Sequence, residues 1–341
     1  MRPFLYTIFV LLFLFSLCCA QENKYVYSIA FYNVENLYDT EKDKNIDDGE
    51  YTPRGNKKWT KDRYTNKLKN LAYVISLLGK ESSKLQPVIV GLAEIENKKV
   101  LDDLVKMKSI EKTGYRIIHK DSPDRRGSDV AILYNPAVFK ADSYNFYSYK
   151  SVDFPWIKTR DILLVNGRLG KEHLHIIVNH WPSRRGDASS EQREYAASIC
   201  KHICDSLSKS SPEAKIIIMG DMNDNPQDKS CRIILNAQKK NDNLSPGKLF
   251  NTMWPLYEKG LGSYRYRDKW QMYDQIIITQ GLLAKKSPLK FLRAEVFNRD
   301  FLIQQNGRFK GYPLRTFSGN TFLNGYSDHF PVLIYLKYEE L

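Results

Sequence analysis

The sequence predicts an α/β (α+β) fold: a four-layer sandwich of two mixed β-sheets packed face to face and flanked by helices. Three observations predict it. Short apolar runs of strand length recur along the chain. Two long segments between them carry the 3.6-residue period of amphipathic helices. Several strands also follow one another directly, so hairpins are needed as well as crossovers. Composition agrees, since 42% hydrophobic residues suffice for a sizeable core.

In chain order, Tyr27–Asn33 is the first strand, and a polar loop spans Leu37–Thr60. Lys61–Leu78 repeats apolar residues at Leu68, Leu71, Ala72, Ile75 and Leu78, one face of a helix. Pro87–Glu94 reads as a buried strand and Lys98–Lys108 as a short helix. Strands follow at Tyr115–Lys120, Val130–Tyr134, Ala141–Tyr149, Ile162–Leu169 and Leu174–His180, with turns between them. Ser189–Ser208 is the second long helix, Lys215–Gly220 a strand and Cys231–Ala237 a short helix. Tyr273–Thr279 and Phe330–Leu336 are the last strands. Gly281–Asn324, aromatic, basic and Gly-rich, reads as a long irregular excursion.

The first 20 residues read as an export signal. Arg2 supplies a positive start, Ile8–Leu17 an apolar stretch, and Cys18-Cys19-Ala20 a small-residue end before polar sequence. Export to the periplasm or the exterior with cleavage after Ala20 is expected; a lipid-anchored form through Cys18 or Cys19 is the alternative. No later stretch approaches the roughly 18 uninterrupted apolar residues of a membrane span. Residues 21–341 then form a single domain, with no linker or repeat dividing them. Cys200, Cys204 and Cys231 allow one disulfide with an odd thiol, or serve as small buried apolar residues. Cys200 and Cys204, four apart on a helix, would bridge poorly.

Chemistry collects at the strand ends. Ile216–Met219 delivers Gly220, expected to permit a tight turn, and then Asp221 and Asn223, two apart and so on one side of an extended chain. The same sequence also suits a plain Asp/Asn turn. Asn33 and Glu94 each close a buried strand, where a carboxylate is costly unless paired or metal-bound. Asp328 and His329 open the last strand, where the imidazole can be fixed, ligate a metal or act as a base. Asn179-His180 ends another strand and runs into a loop whose Arg184 and Arg185 suit phosphate oxygens. Arg160 and Arg193 suit phosphate or structural ion pairs equally. Oxygen donors with no thiolate favour Mg²⁺, with Mn²⁺ or Ca²⁺ as alternatives, over zinc.

In combination and order, from Phe31-Tyr32-Asn33-Val34-Glu35-Asn36 to Ser327-Asp328-His329-Phe330-Pro331, these motifs resemble the endonuclease/exonuclease/phosphatase superfamily. The Asn33–Asp39 opening, with Trp59-Thr60 and Arg63-Tyr64, is similar to its exported bacterial branch. The resemblance implies a divalent-metal-dependent phosphoric ester hydrolase. It implies Asn33, Glu94 and Asp328 as metal-site residues, and Asp221 and Asn223 as the pair that orients water and stabilises the transition state. His180 would contact the scissile phosphate, His329 would be the catalytic histidine, and Asp274 would hold it. Arg160 would bind phosphate, and Asp129 is a looser match for a partner of His180.

A net charge of +13 favours polyanions. Basic and aromatic residues together (Arg184, Arg185 and Lys310 with Trp181, Trp270 and Tyr312) favour DNA or RNA as substrate. A sphingomyelinase-like phospholipid phosphodiesterase or a phosphomonoesterase is the alternative, with a catalytically silent binder behind both. Phe291–Phe301 is a weak sign of a lipid-facing hairpin, and the protein is expected to be a monomer.

Overall fold

The computed structural model describes residues 24–184, 189–242, 244 and 247–339. The expected export signal over residues 1–20, with Cys18 and Cys19, and Arg185 of the basic loop lie outside the described residues.

The strands, in chain order, are β1 (Lys24–Leu37), β2 (Ile89–Ile95), β3 (Arg116–His119), β4 (Asp129–Tyr134), β5 (Phe139–Tyr147), β6 (Ile162–Leu169), β7 (Glu172–His180) and β8 (Ile216–Asp221). Then follow β9 (Ala237–Gln238), β10 (Leu249–Asn251), β11 (Tyr264–Tyr266), β12 (Lys269–Gln271), β13 (Asp274–Ile278), β14 (Leu289–Val296), β15 (Phe317–Ser318), β16 (Thr321–Phe322) and β17 (Val332–Glu339). One sheet has six strands in the order β14-β17-β1-β2-β4-β3, the other seven in the order β5-β6-β7-β8-β13-β10-β9. β1 and β2 run parallel, as do β7 and β8. A parallel step needs a crossover, and the two long helices, Lys61–Leu77 and Ser190–Ser210, lie in those two connections.

Side-chain alternation explains the layering. In the seven-stranded sheet Leu163, Val165, Ile176, Val178, Ile217 and Met219 face the core shared with the other sheet. Their neighbours Ile162, Leu164, Ile177, Ile216 and Ile218 face outward, against Ala196, Cys200, Ile203 and Cys204 of the helix Ser190–Ser210. Leu68, Leu71, Ala72 and Ile75 of the first long helix pack in the core that also holds the six-stranded sheet. The sheets approach closely at Gly91 of β2, where a Cβ would lie 2.6 Å from the Met219 sulfur of β8. Two helices start at side-chain caps: Thr60 Oγ1 accepts Arg63 N–H at 3.4 Å in the helix Lys61–Leu77, and Asn97 Oδ1 accepts Val100 N–H at 3.1 Å in the helix Lys98–Val105.

The structure corrects several expectations. The Gly281–Asn324 excursion contains β14, paired along the edge of the first sheet with β17, and the β15–β16 hairpin. Lys290, Arg293 and Glu295 alternate along β14, and such charged edge strands hide from an apolar pattern. The helix expected over Cys231–Ala237 is a single wide turn, Ser230–Ile234, followed by β9. β10, the helix Trp254–Glu258 and the β11–β12 hairpin were not foreseen. Gly220 makes no turn: it lies within β8, where its missing side chain admits the Asn179 carbonyl oxygen, 2.4 Å from where a Cβ would sit. Cys200, Cys204 and Cys231 are free and buried.

Candidate active site

Both sheets end on one cleft of about 580 Å³. In the seven-stranded sheet, β7, β8 and β13 are neighbours, and the register sets His180 beside Asp221 and Asp221 beside Asp274. The six-stranded sheet supplies Asn33 from β1, Glu94 from β2, and Asp328 and His329 from the loop before β17. Asn33 Nδ2 donates to Asp221 Oδ2 at 3.0 Å, tying the sheets together where they meet.

Asp221 is the hub. Its Oδ1 accepts the Asn223 N–H at 2.9 Å, while Oδ2 lies 3.7 Å from His180 Nε2 and 3.9 Å from His329 Nε2. Burial, then Asp274, pushes its carboxyl up to about 7, against the pull of His329, the Asn223 N–H and Asn33. His329 Nδ1 meets Asp274 Oδ2 at 2.6 Å, and the Ser263 hydroxyl accepts the Asp274 N–H at 3.0 Å. Burial opposes a charged His329, but Asp274, with Asp221 and Asp328, outweighs it and holds the imidazole pKa well above its ordinary value. His180 goes the other way. Burial, with Arg160, Arg126 and His329, pushes it well below the usual histidine range.

Backbone distortion aims the acids. Pairing of β1 with β2 shifts register between Asn33 and Leu37, and pairing of β2 with β4 shifts between Ala93 and Ile95. Glu35, Asn36 and Glu94 there adopt left-handed backbone, at φ 54°, 50° and 65°, a conformation that costs non-glycine residues and gathers at functional sites. The bulge lets Asn36 N–H reach Glu94 Oε2 at 2.9 Å. Asn223, at φ 49°, reaches the cleft through a turn rather than through strand alternation, and its Nδ2 donates to the Trp181 carbonyl at 3.0 Å.

Of the expected site residues, Glu94, His180, Arg184, Asp221, Asn223, Asp328 and His329 line the cleft. Asp274 sits behind His329. Asn33 is fully buried beneath Asp221, with its Oδ1 already accepting the Glu35 N–H at 3.0 Å. The arginines expected at phosphate divide. Arg184 lies on the rim over the Tyr273 ring and donates to the Asn223 carbonyl at 2.7 Å. Arg160 is buried, its guanidinium spent on the His180 and Trp181 carbonyls at 3.1 and 2.7 Å and on Asp124 at 2.9 Å. It therefore props the His180 loop from behind. Arg193 is buried on Asp224 at 2.7 Å. Asp129 does not pair with His180 but with His119, at 3.1 Å, and among the described residues the His180 Nδ1 has no hydrogen-bond partner. Trp181 is buried in the core rather than placed beside substrate.

The sequence reading missed four participants. Arg126 lines the cleft, and its Arg-Arg-Gly surroundings before β4 were the available signal. Tyr264 stacks on His329 at 4.7 Å between ring centres, from a hairpin with no motif of its own. Glu35 and Lys67 form a buried pair at 3.9 Å. Burial, with Asp328 beside it, pushes Glu35 up to about 7; burial lowers Lys67 to about 8, although Glu35, Asp328 and Glu94 all pull it back. Lys67 pairs with Glu35 and Arg315 with Asp328 at 3.4 Å, and the carboxylates of Glu94 and Asp328 that line the cleft are the hard oxygen donors a divalent cation takes. Among the described residues, the tight donor clusters are Asp221, Asp274 and His329, and His119, Asp121 and Asp129. Glu94 and Asp328 face the cleft without joining either.

Residues 28–338, nearly all of the described chain, match the Endonuclease/Exonuclease/phosphatase family. The chain belongs to that family. Its members are phosphoric ester hydrolases that characteristically use divalent metals, and the two-sheet sandwich is the family's fold. Several solved structures share it. D. rerio TDP2 complexed with single strand DNA product superposes with a TM-score of 0.56 at 15% identity, over 91% of this chain and 98% of that one. A family protein from Bacteroides thetaiotaomicron gives 0.54 at 16% identity, over 93% and 96%. A mannosyl-6-phosphatase of the same organism gives 0.54 at 15%, over 91% and 99%. No curated protein matches the chain in sequence. Membership explains why the strand-end residues are ordered as they are: Asn33, Glu94, His180, Asp221, Asp274 and His329 all converge on the shared end of the family's two sheets.

Proposed function

We propose that this chain is an exported, Mg²⁺-dependent phosphodiesterase that hydrolyses nucleic acid, DNA or RNA. The observation that carries the chemistry is Asp221 set between two imidazoles, at 3.7 and 3.9 Å, on the floor of a cleft rimmed by Arg126 and Arg184. Glu94 and Asp328 would hold the metal, with Asn33 fixing the floor beneath and Glu35 close behind Asp328; Mn²⁺ or Ca²⁺ would satisfy the same oxygens. Bound there, the cation would offset charge on a non-bridging phosphate oxygen. Asp221 and His329, the latter oriented through Nδ1 by Asp274, activate the attacking water. His180 and Asn223 steady the phosphate and its leaving oxygen.

The basic surface, Arg184 on the rim and the aromatic wall of Tyr264, Tyr266 and Tyr273 support a nucleic-acid substrate. A lipid substrate finds less support. Phe291 packs on Phe250 and Phe297 is buried, so in the segment suspected of facing lipid Leu292 alone is a large apolar side chain left exposed. Exposed Trp156 borders a depression rich in carboxylates, which suits an anionic membrane poorly.

The test is hydrolysis of plasmid DNA, RNA, sphingomyelin, mannose 6-phosphate and bis-p-nitrophenyl phosphate, with Mg²⁺ and with EDTA. DNA or RNA turnover that needs Mg²⁺, and is lost in a folded His329→Ala protein, is expected. Turnover of sphingomyelin alone would overturn the substrate, and near-wild-type activity of His329→Ala would overturn the site. Export is tested by fractionating cells and determining the mature N-terminus.

A further inference from the structure

The cleft has two flanks of unequal charge. On one side lies a groove of about 320 Å³ that shares Tyr264 and Tyr266 with the cleft and is walled by Arg265, Arg267, Arg308 and Arg315. Its one carboxylate, Asp268, already accepts the Tyr312 hydroxyl at 3.0 Å. The arginines lie against aromatic faces. Arg265 sits over Trp270 at 5.3 Å and Tyr312 at 4.7 Å, Arg267 over Tyr266 at 5.3 Å, and Arg308 over Phe309 at 5.7 Å. Arg315 reaches back to Asp328 at 3.4 Å, so the cationic wall runs to the catalytic centre without a break.

The other side carries no such excess of cations. Past Glu94 and Arg126, in a depression of about 630 Å³, exposed Asp43 and Asp121 offset Arg125 and Lys158, Asp124 is paired with Arg160 at 2.9 Å, and Asp129 is paired with His119 at 3.1 Å. The two flanks adjoin the same cleft through the Tyr264–Tyr266 strand and through the ends of β2 and the 124–127 turn.

We infer that a single-stranded nucleic acid is held on one side only, its nucleotides running from the scissile phosphate into the arginine groove, so that cleavage falls near a strand end. This rests on the nucleic-acid reading above. Guanidiniums match phosphate oxygens two at a time, and the half-exposed Tyr266 ring between cleft and groove offers a surface on which an unpaired base can stack. A strand crossing the whole cleft would lay its next phosphates over a depression whose exposed charges balance, and would gain no net attraction there. A strand ending at the cleft keeps every phosphate on the arginine side.

The experiment uses the full chain with Mg²⁺, a linear 12-nucleotide single strand, a closed circular single strand, and bis-p-nitrophenyl phosphate. The circle is expected to be cut at least about 10-fold more slowly than the linear strand, which shortens stepwise. The exposed pair Arg267→Glu/Arg308→Glu is expected to raise KM on the linear strand about 10-fold more than on the small diester. It should also flatten the salt dependence by about 1.4 in log–log slope, for two lost single-strand contacts. Equal rates on circle and linear strand would overturn one-sided binding. An unchanged KM ratio would overturn the groove, and equal competition by inorganic polyphosphate and by the oligonucleotide would overturn its preference for bases. Hydrolysis of the small diester without either nucleic acid would overturn the parent reading, and the groove's role with it.

Discussion

Replacing Lys67 with Met tests how the cleft is held open. The ammonium is 1% exposed, donates to Thr316 Oγ1 and the Tyr326 carbonyl at 2.6 Å each, and lies 3.9 Å from Glu35 Oε2. Met keeps most of the stem's volume but removes every donor, leaving the Glu35 carboxylate buried beside Asp328 with the Thr316 N–H, at 2.6 Å, and the more distant Arg315 charge to hold it. Breaking a buried pair from one side costs about 3–5 kcal/mol. The low end, about 3 kcal/mol, is expected, because Glu35 is already raised to about 7 and can take up a proton instead of staying charged. Urea unfolding at neutral pH in EDTA, extrapolated linearly, measures it. The double change Lys67→Met/Glu35→Gln removes both charges and should recover at least about 1.5 kcal/mol of the single loss, a coupling within the range for contacting residues. Because Tyr326 lies two residues before Asp328, kcat should fall along with stability. A Lys67→Met protein within about 1 kcal/mol of wild type, or a double variant no better than the single, would refute the buried pair as the support of this loop.

Glu94→Gln should raise the Mg²⁺ needed for half-maximal activity at least about 10-fold, measured by titrating free Mg²⁺ after EDTA removal. Asp274→Asn should lower kcat by about 10²–10⁴ with KM little changed, since it frees the His329 ring while leaving the cleft's surface intact. Arg160 and Arg126 hold the Asp124 carboxyl below its usual range although burial alone would raise it. Its folded pKa is depressed, so this stability is full above about pH 3.9 and is lost as pH falls toward the folded value. Asp124→Asn should therefore lower Tm at pH 7 and flatten the acid limb of a Tm-versus-pH scan. Asn36→Gly should match or exceed wild-type stability, and Asn36→Ala should lose about 1 kcal/mol, because only the N–H to Glu94 and the left-handed backbone are needed there.

The two-sheet sandwich was legible because alternation in β6, β7 and β8 sorts residues into two cores, and because each long helix sits in a parallel crossover. β14 was missed for the opposite reason: it lies on an edge, and its alternating charges weaken the apolar signal. The strand-end acids and imidazoles were legible as residues, but not their partners. Asp129 is next to a strand end in sequence, yet the β3–β4 pairing spends it on His119. Arg160 precedes β6 as expected, but the carbonyls of His180 and Trp181 absorb its donors. Lys67 stands four residues before Leu71, on the apolar face of its helix, where a lysine stem can still carry the ammonium out to water; only the packed loop from Thr316 to Tyr326 shows that the charge stays buried. Tertiary hydrogen bonding decided each of these cases, and no local pattern carries that information.

The cleft therefore has two parts with different origins. The part that handles phosphate stands on strand ends whose register is fixed by two packed sheets; a one-residue slip in β8 would turn Asp221 away from both His180 and Asp274 and bury its carboxylate elsewhere. The Asn33–Asp221 bond makes the constraint mutual, since neither sheet can shift without breaking the contact that joins them. The other part, the arginine groove, is built from the β11–β12 hairpin and the loops around Phe309 and Arg315, which lie outside the two large sheets. Tyr264 bridges to His329 and Arg315 meets Asp328, but the exposed Arg267 and Arg308 can change without disturbing Asp221 or His329. Changing those two arginines is therefore expected to alter KM on a nucleic acid while turnover of bis-p-nitrophenyl phosphate stays near wild type, a split that would assign the choice of substrate to the groove and not to the strand ends.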